Sequence, residues 1–210
     1  GKQTGWVFVP RVVELSGFLN TIPDFLAYVN PGNDKILLIT EWQERTIDVD
    51  MHTVIDDNDN DSLDPATATA ASVIATVNFT SGNTEHNNVK LERDITSSEL
   101  TDGLPAVETV LISANPFTDT RGWLRLYLHA WTDPTGNLTG NSYASTPVKD
   151  AKATVHVMMG EEHYGTFRIA TETQEEAICV LKIKAYPVTG GTSYDIMSPG
   201  NFYGAIKAIE

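Results

Sequence analysis

Five aspartates crowd one short stretch of this chain: Asp56, Asp57, Asp59, Asp61 and Asp64 all fall within VIDDNDNDSLD, residues 54–64. Hard carboxylate oxygens at that density suit a Ca²⁺ ion, so the stretch is tested against an EF-hand loop. Counting from Asp57, Asp59 and Asp61 reach ligand positions. The turn position that needs glycine holds Ser62, and the closing position that needs glutamate holds Ala68. Counting from Asp56 puts Asp61 at the turn and Thr67 at the close. The stretch reads as a solvated loop whose aspartates end a strand and shape turns, with a weak, irregular Ca²⁺ site as the alternative. The sequence leads us to expect no metal site and no cofactor.

Other reactive patterns are incomplete. GNSYA (140–144) approaches the G-x-S-x-G nucleophile turn but ends in Ala144 and lies in a turn-rich segment. GEEHYG (160–165) gathers Glu161, Glu162 and His163, yet Met159 stands where a zinc-binding H-x-x-E-H pattern needs its first histidine. A glycosidase needs two carboxylates across a cleft, and 28 acidic residues single out no pair. Cys179, the only cysteine, sits in AICVLKI as a small buried hydrophobe and leaves no intramolecular disulfide. No enzyme is expected.

The residues that point to recognition lie in WLRLYLHAW (123–131). A period of two puts Leu124, Leu126, Leu128 and Ala130 on one face and Trp123, Arg125, Tyr127, His129 and Trp131 on the other. Large rings with polar tips are enriched at interfaces and also stack on sugars. The adjoining polar loop adds Asp133, Asn137 and Tyr143, which completes the candidate binding set. Two readings of this face stay open: an interface, or a second core buried under loops or another sheet.

The elements that must position these residues are strands. Period-two runs recur at 6–15, 35–42, 45–54, 72–80, 88–95, 108–114, 153–159, 165–171, 177–186 and 201–209, punctuated by Gly, Pro, Asn and Asp clusters. Only 22–30 reads as a short helix. With 210 residues, 41% of them hydrophobic, and no repeat or linker, the chain is expected to be all-β. The architecture expected is a single antiparallel β-barrel or sandwich domain over 1–210, with long loops and at most one or two short helices. A net charge of −14 and no basic stripe argue against nucleic acid, and no apolar run is long enough for membrane insertion.

The pattern GWLRLYLHAWTD with AKATVHVMMGEEHYGTFRI (122–133 and 151–169) resembles the paired late strands of small RNA-virus capsid jelly rolls. In size, acidity, β content and lack of disulfides, the whole chain is similar to the capsid spike (projection) domain of a non-enveloped RNA virus, most like an avian astrovirus spike. The resemblance implies a piece excised from a longer polyprotein, with a six-stranded β-barrel core that pairs as a homodimer on the virion surface. It also implies non-enzymatic host-cell attachment through a receptor protein or glycan. The alternative expectation is a bacterial cell-surface β-sandwich, a carbohydrate-binding or adhesin-like module.

Overall fold

The computed structural model describes residues 35–56, 73–104, 106–117, 122–133, 143–160, 162–169, 174–188 and 191–197. The runs expected at 6–15, 22–30 and 201–209, Asn137, and residues 57–64 of the acidic loop lie outside them.

Twelve strands are described: β1 (Ile36–Glu41), β2 (Ile47–Asp56), β3 (Val73–Val77), β4 (Glu85–His86), β5 (Val89–Arg93), β6 (Val107–Ile112), β7 (Trp123–Thr132), β8 (Ala144–Thr146), β9 (Thr154–Met159), β10 (Glu162–Arg168), β11 (Ala177–Val188) and β12 (Gly191–Met197). A short helix, α1 (Ser97–Thr101), follows β5, and a 3-10 turn (Val148–Ala151) precedes β9. One sheet runs β10-β9-β1-β6-β5-β4 and the other β12-β11-β7-β2-β3, with β8 added to the end of β7. The architecture is an antiparallel β-sandwich, as the strand pattern leads one to expect. The six-stranded barrel implied by the viral resemblance is corrected, because the pairings form two separate sheets.

Alternation builds the core. Ile47, Val49, Met51 and Ile55 of β2 and Leu124, Leu126, Leu128 and Ala130 of β7 pack against Ile36, Leu38, Val110, Ile112, Val155 and Val157 of the facing sheet. Each of these Val, Leu, Ile and Met side chains contributes about 1.5–3 kcal/mol by leaving water. Trp42 closes one end and donates from Nε1 to the Ile47 carbonyl at 2.7 Å.

The sheet that holds β2 is incomplete at one edge. β3 pairs only with Thr53–Asp56, so the first half of β2 has no strand on that edge among the described residues. An open edge presents backbone groups that need partners.

Candidate functional site: an acidic cleft at the edge of β2

Glu108 answers that need. It lies on β6 opposite Thr40 of β1, with the core-facing parity of Val110 and Ile112. Its Oε2 accepts a hydrogen bond from the Met51 amide at 2.9 Å. The residue is 1% exposed, and among the described residues Oε1 meets no donor other than the Asp94 carboxyl, which can bond it only when one of the two acids is protonated.

Asp48 and Asp50 come from the opposite face of β2, two residues apart and therefore pointing the same way. Asp94 comes from the segment that crosses this edge between β5 and α1. A capping box pins that segment: Glu99 Oε2 accepts from the Thr96 amide at 2.8 Å, while the Thr96 side chain accepts from the Glu99 amide. Leu100 anchors α1 in the core, and Ser97 Oγ donates to Asp48 Oδ2 at 2.7 Å. The outcome is that ligand oxygens of Asp50, Asp94 and Glu108 all lie within 4.8 Å of one another. Asp94 is the more accessible of the three.

Carboxylates this close repel by roughly 3–4 kcal/mol per pair at an effective dielectric of about 20. Burial, and then the charges of Asp48 and Asp94, push the Asp50 carboxyl well above its usual range against an opposing hydrogen bond from Trp131. Burial, and then the charge of Asp50, do the same to Glu108. Asp48 is raised to about 6, chiefly by burial, although Ser97 and the Val49 amide oppose the shift. Such a group must take up either protons or a cation.

Above the carboxylates lies a cleft of about 340 Å³, lined by Asp48, Asp50 and Asp94 together with Phe79, Trp131 and Tyr143. Among the described residues, no lysine, arginine or histidine lines it. Phe79 and Tyr143 are 45% and 44% exposed. Neighbouring rings brace the aromatic wall: His129 packs on Trp131 with centroids 4.0 Å apart, and Phe79 meets His52 edge-on at 5.9 Å. His129 Nε2 is 3.0 Å from Ser145 Oγ of β8. His52 is buried, and burial together with His129 lowers its pKa to about 4, so it stays neutral.

The structure divides the residues singled out from sequence. Trp131 and Tyr143 line the cleft. Trp123, Arg125 and Tyr127 are 4%, 3% and 6% exposed, so of the two readings left open for this face of β7, burial favours a second core over these residues. The physical reason is local packing. Arg125 Nη1 binds Asp56 Oδ2 at 2.5 Å, the Lys182 ammonium lies 4.8 Å over the Trp123 ring, and Tyr127 packs with Val54, Ala177 and Cys179. His129 and Asp133 are also buried. Asp56, the first acid of the VIDDNDNDSLD stretch, is thus a core ion-pair partner. The Cys179 thiol is pushed up to about 12 by burial, in keeping with an inert hydrophobe.

Sequence reasoning missed Asp48, Asp50, Asp94 and Glu108. Two signals were available. IDVD puts two acids on one face of a strand, and VETVLI places a lone glutamate on the apolar face of another. A second buried polar row lies on the other sheet, where His156 bridges Glu41 Oε1 at 2.7 Å and Thr166 Oγ1 at 3.2 Å, tying β1, β9 and β10 together.

No family model matches the chain, and no curated protein matches it. Two solved structures share its fold. One is SAV2460, a protein of unknown function, with a TM-score of 0.53 and 12% identity over 80% of this chain and 90% of that one. The other is a homologue of the telluride resistance protein TerD from Streptomyces coelicolor A3(2), with a TM-score of 0.51 and 12% identity over the same shares. At this identity the likeness concerns fold. It nevertheless leads away from a virion spike, and the expectation of a capsid protein for host attachment is corrected here; nor does it single out an adhesin. The viral resemblance rested on acidity, β content and the lack of disulfides, which many β-sandwiches share.

Proposed function

We propose that this domain is a cation-binding module, non-catalytic in itself, that holds a divalent ion of the Ca²⁺ type between Asp50, Asp94 and Glu108. The observation that carries this reading is the convergence of the three carboxylates within 4.8 Å, with Glu108 buried and its side chain facing the Asp94 carboxyl. Oxygens on opposite sides of a Ca²⁺ ion, each bonded at about 2.4 Å, are about 4.8 Å apart. The donor set is all oxygen, which disfavours zinc, and it comes from three separate segments whose irregular placement suits calcium better than strictly octahedral magnesium. Bound cation would also stabilise the charged forms of Asp50 and Glu108, onto which burial and then mutual repulsion otherwise force protons.

Titration calorimetry and thermal melts with Ca²⁺, Mg²⁺ and Mn²⁺ test the reading. At a concentration of about 100 Kd, ligand linkage raises stability by about 2.7 kcal/mol, a shift of several degrees. Glu108→Gln should remove that shift. Absence of any saturable response to all three ions in the unmodified protein would overturn the reading.

A further inference from the structure

We propose that the outer part of the cleft binds a small protonated aliphatic amine, seated on Asp48 and enclosed by the rings of Trp131, Phe79 and Tyr143. The site goes beyond the divalent-ion reading and does not require it.

The rings supply the first argument. Large hydrophobic side chains are mostly buried here, yet Phe79 and Tyr143 are about half exposed and both line this one cleft. Aromatic faces attract cations as well as apolar chains, and the other lining side chains among the described residues include three carboxylates and no base. An alkylammonium offers both halves of that complement: a charged head for the acids and a methylene chain for the rings.

Hydrogen bonding then selects among cations. Ser97 donates to Asp48 Oδ2 and the Val49 amide also bonds this carboxylate, which fixes it at the cleft wall. A primary amine donates N–H bonds to the carboxylates that line the cleft, whereas a quaternary ammonium carries no N–H and leaves them unmet. Charge allows both occupants at once. With four carboxylates ionised, a divalent ion on Asp50, Asp94 and Glu108 neutralises two charges and leaves negative charge for a monocation at Asp48. The volume, about 340 Å³, fits a short alkylamine and not a folded partner. The same chemistry at the tip of a lysine side chain is the other source, and the experiment separates the two.

The full chain is titrated near neutral pH with n-butylammonium chloride, with tetramethylammonium chloride, and with Nα-acetyl-lysine methylamide. We expect saturable binding of n-butylammonium, with tetramethylammonium weaker by about tenfold. Asp48→Asn should weaken n-butylammonium about tenfold while leaving the Ca²⁺ response in place, and Glu108→Gln should do the reverse. Tyr143→Ala, at an exposed ring that folding does not need, should weaken the amine several-fold with an unchanged melting temperature. Those paired outcomes separate failure of the amine site from failure of the divalent site. The proposal is overturned if n-butylammonium shows no saturable binding, if tetramethylammonium binds equally well, or if Asp48→Asn and Tyr143→Ala both bind like the parent. Binding of the lysine derivative alone would also overturn the free amine and assign the cleft to a lysine side chain.

Discussion

The Met51 amide and the Glu108 carboxylate form a 2.9 Å hydrogen bond that crosses from one sheet to the other. That contact completes the unpaired edge of β2 and, by placing an acid where a strand would otherwise lie, creates the deep end of the acidic cleft. Structure and site share one side chain, so its two roles separate only by choice of substitution.

Glu108→Ala removes the acceptor for a buried amide and leaves a void, and should destabilise the domain by about 2–4 kcal/mol in urea unfolding. Glu108→Gln keeps an oxygen for Met51 and removes the buried acid. Without divalent ions it should be within about 1 kcal/mol of the parent, or more stable. If both variants lose equal stability, the charge of Glu108 plays no part in the site.

Without divalent ions the three raised acids should cost stability as pH rises, against an opposing gain from His52, whose folded pKa of about 4 lies below its ordinary 6.5. Asp48, Asp50 and Glu108 all have folded pKa values raised above their ordinary ones, so the folded state holds the extra protons. Their favourable contribution is full below the ordinary carboxylate pKa and declines as pH rises from there to the raised folded values. For Asp48, shifted from 3.8 to about 6, the loss over that window is up to about 3 kcal/mol, less whatever residual solvent contact screens. Saturating Ca²⁺ should flatten or reverse the slope. Melts of the parent and of Asp48→Asn from pH 4 to 8, with and without Ca²⁺, read both effects; an Asp48→Asn profile parallel to the parent's would contradict the buried acid.

The Arg125–Asp56 pair, with side chains 4% and 2% exposed, should behave as core. Asp56→Ala leaves a buried guanidinium without this carboxylate and should cost about 3–5 kcal/mol, whereas a paired replacement by Met at 125 and Leu at 56 should recover most of it. Equal losses in the single and double variants would show that the two residues do not act as a pair.

Trp123→Ala and Tyr127→Ala should each destabilise by about 3–5 kcal/mol, because both rings are buried. Tyr143→Ala should stay within about 0.5 kcal/mol. Differential scanning calorimetry distinguishes these outcomes, and a Trp123 variant that melts like the parent would return the interface reading of this face.

Much of the framework was legible before any coordinates. The runs that became β1, β2, β7, β9 and β11 read as strands because a strand turns alternate residues to opposite sides. β4, β8 and α1 did not, since two to five residues carry too little periodicity, although Thr96 and Glu99 already formed a capping-box spacing. In β12, Tyr194 and Ile196 do alternate with Ser193 and Asp195, but the pattern is brief. For WLRLYLHAW both readings were open, and burial decided in favour of core over Trp123 to His129.

By itself, then, the sequence determined an acidic, disulfide-free, all-β domain and the inward faces of its longest strands, because alternation is a local property of the chain. Only the tertiary structure decided that Asp48 and Asp50 of β2, Asp94 of a loop and Glu108 of β6 would meet. That meeting depends on the stagger of two sheets and on where β3 stops short. Neither is written in any local pattern, because the forces that set them act between residues far apart along the chain.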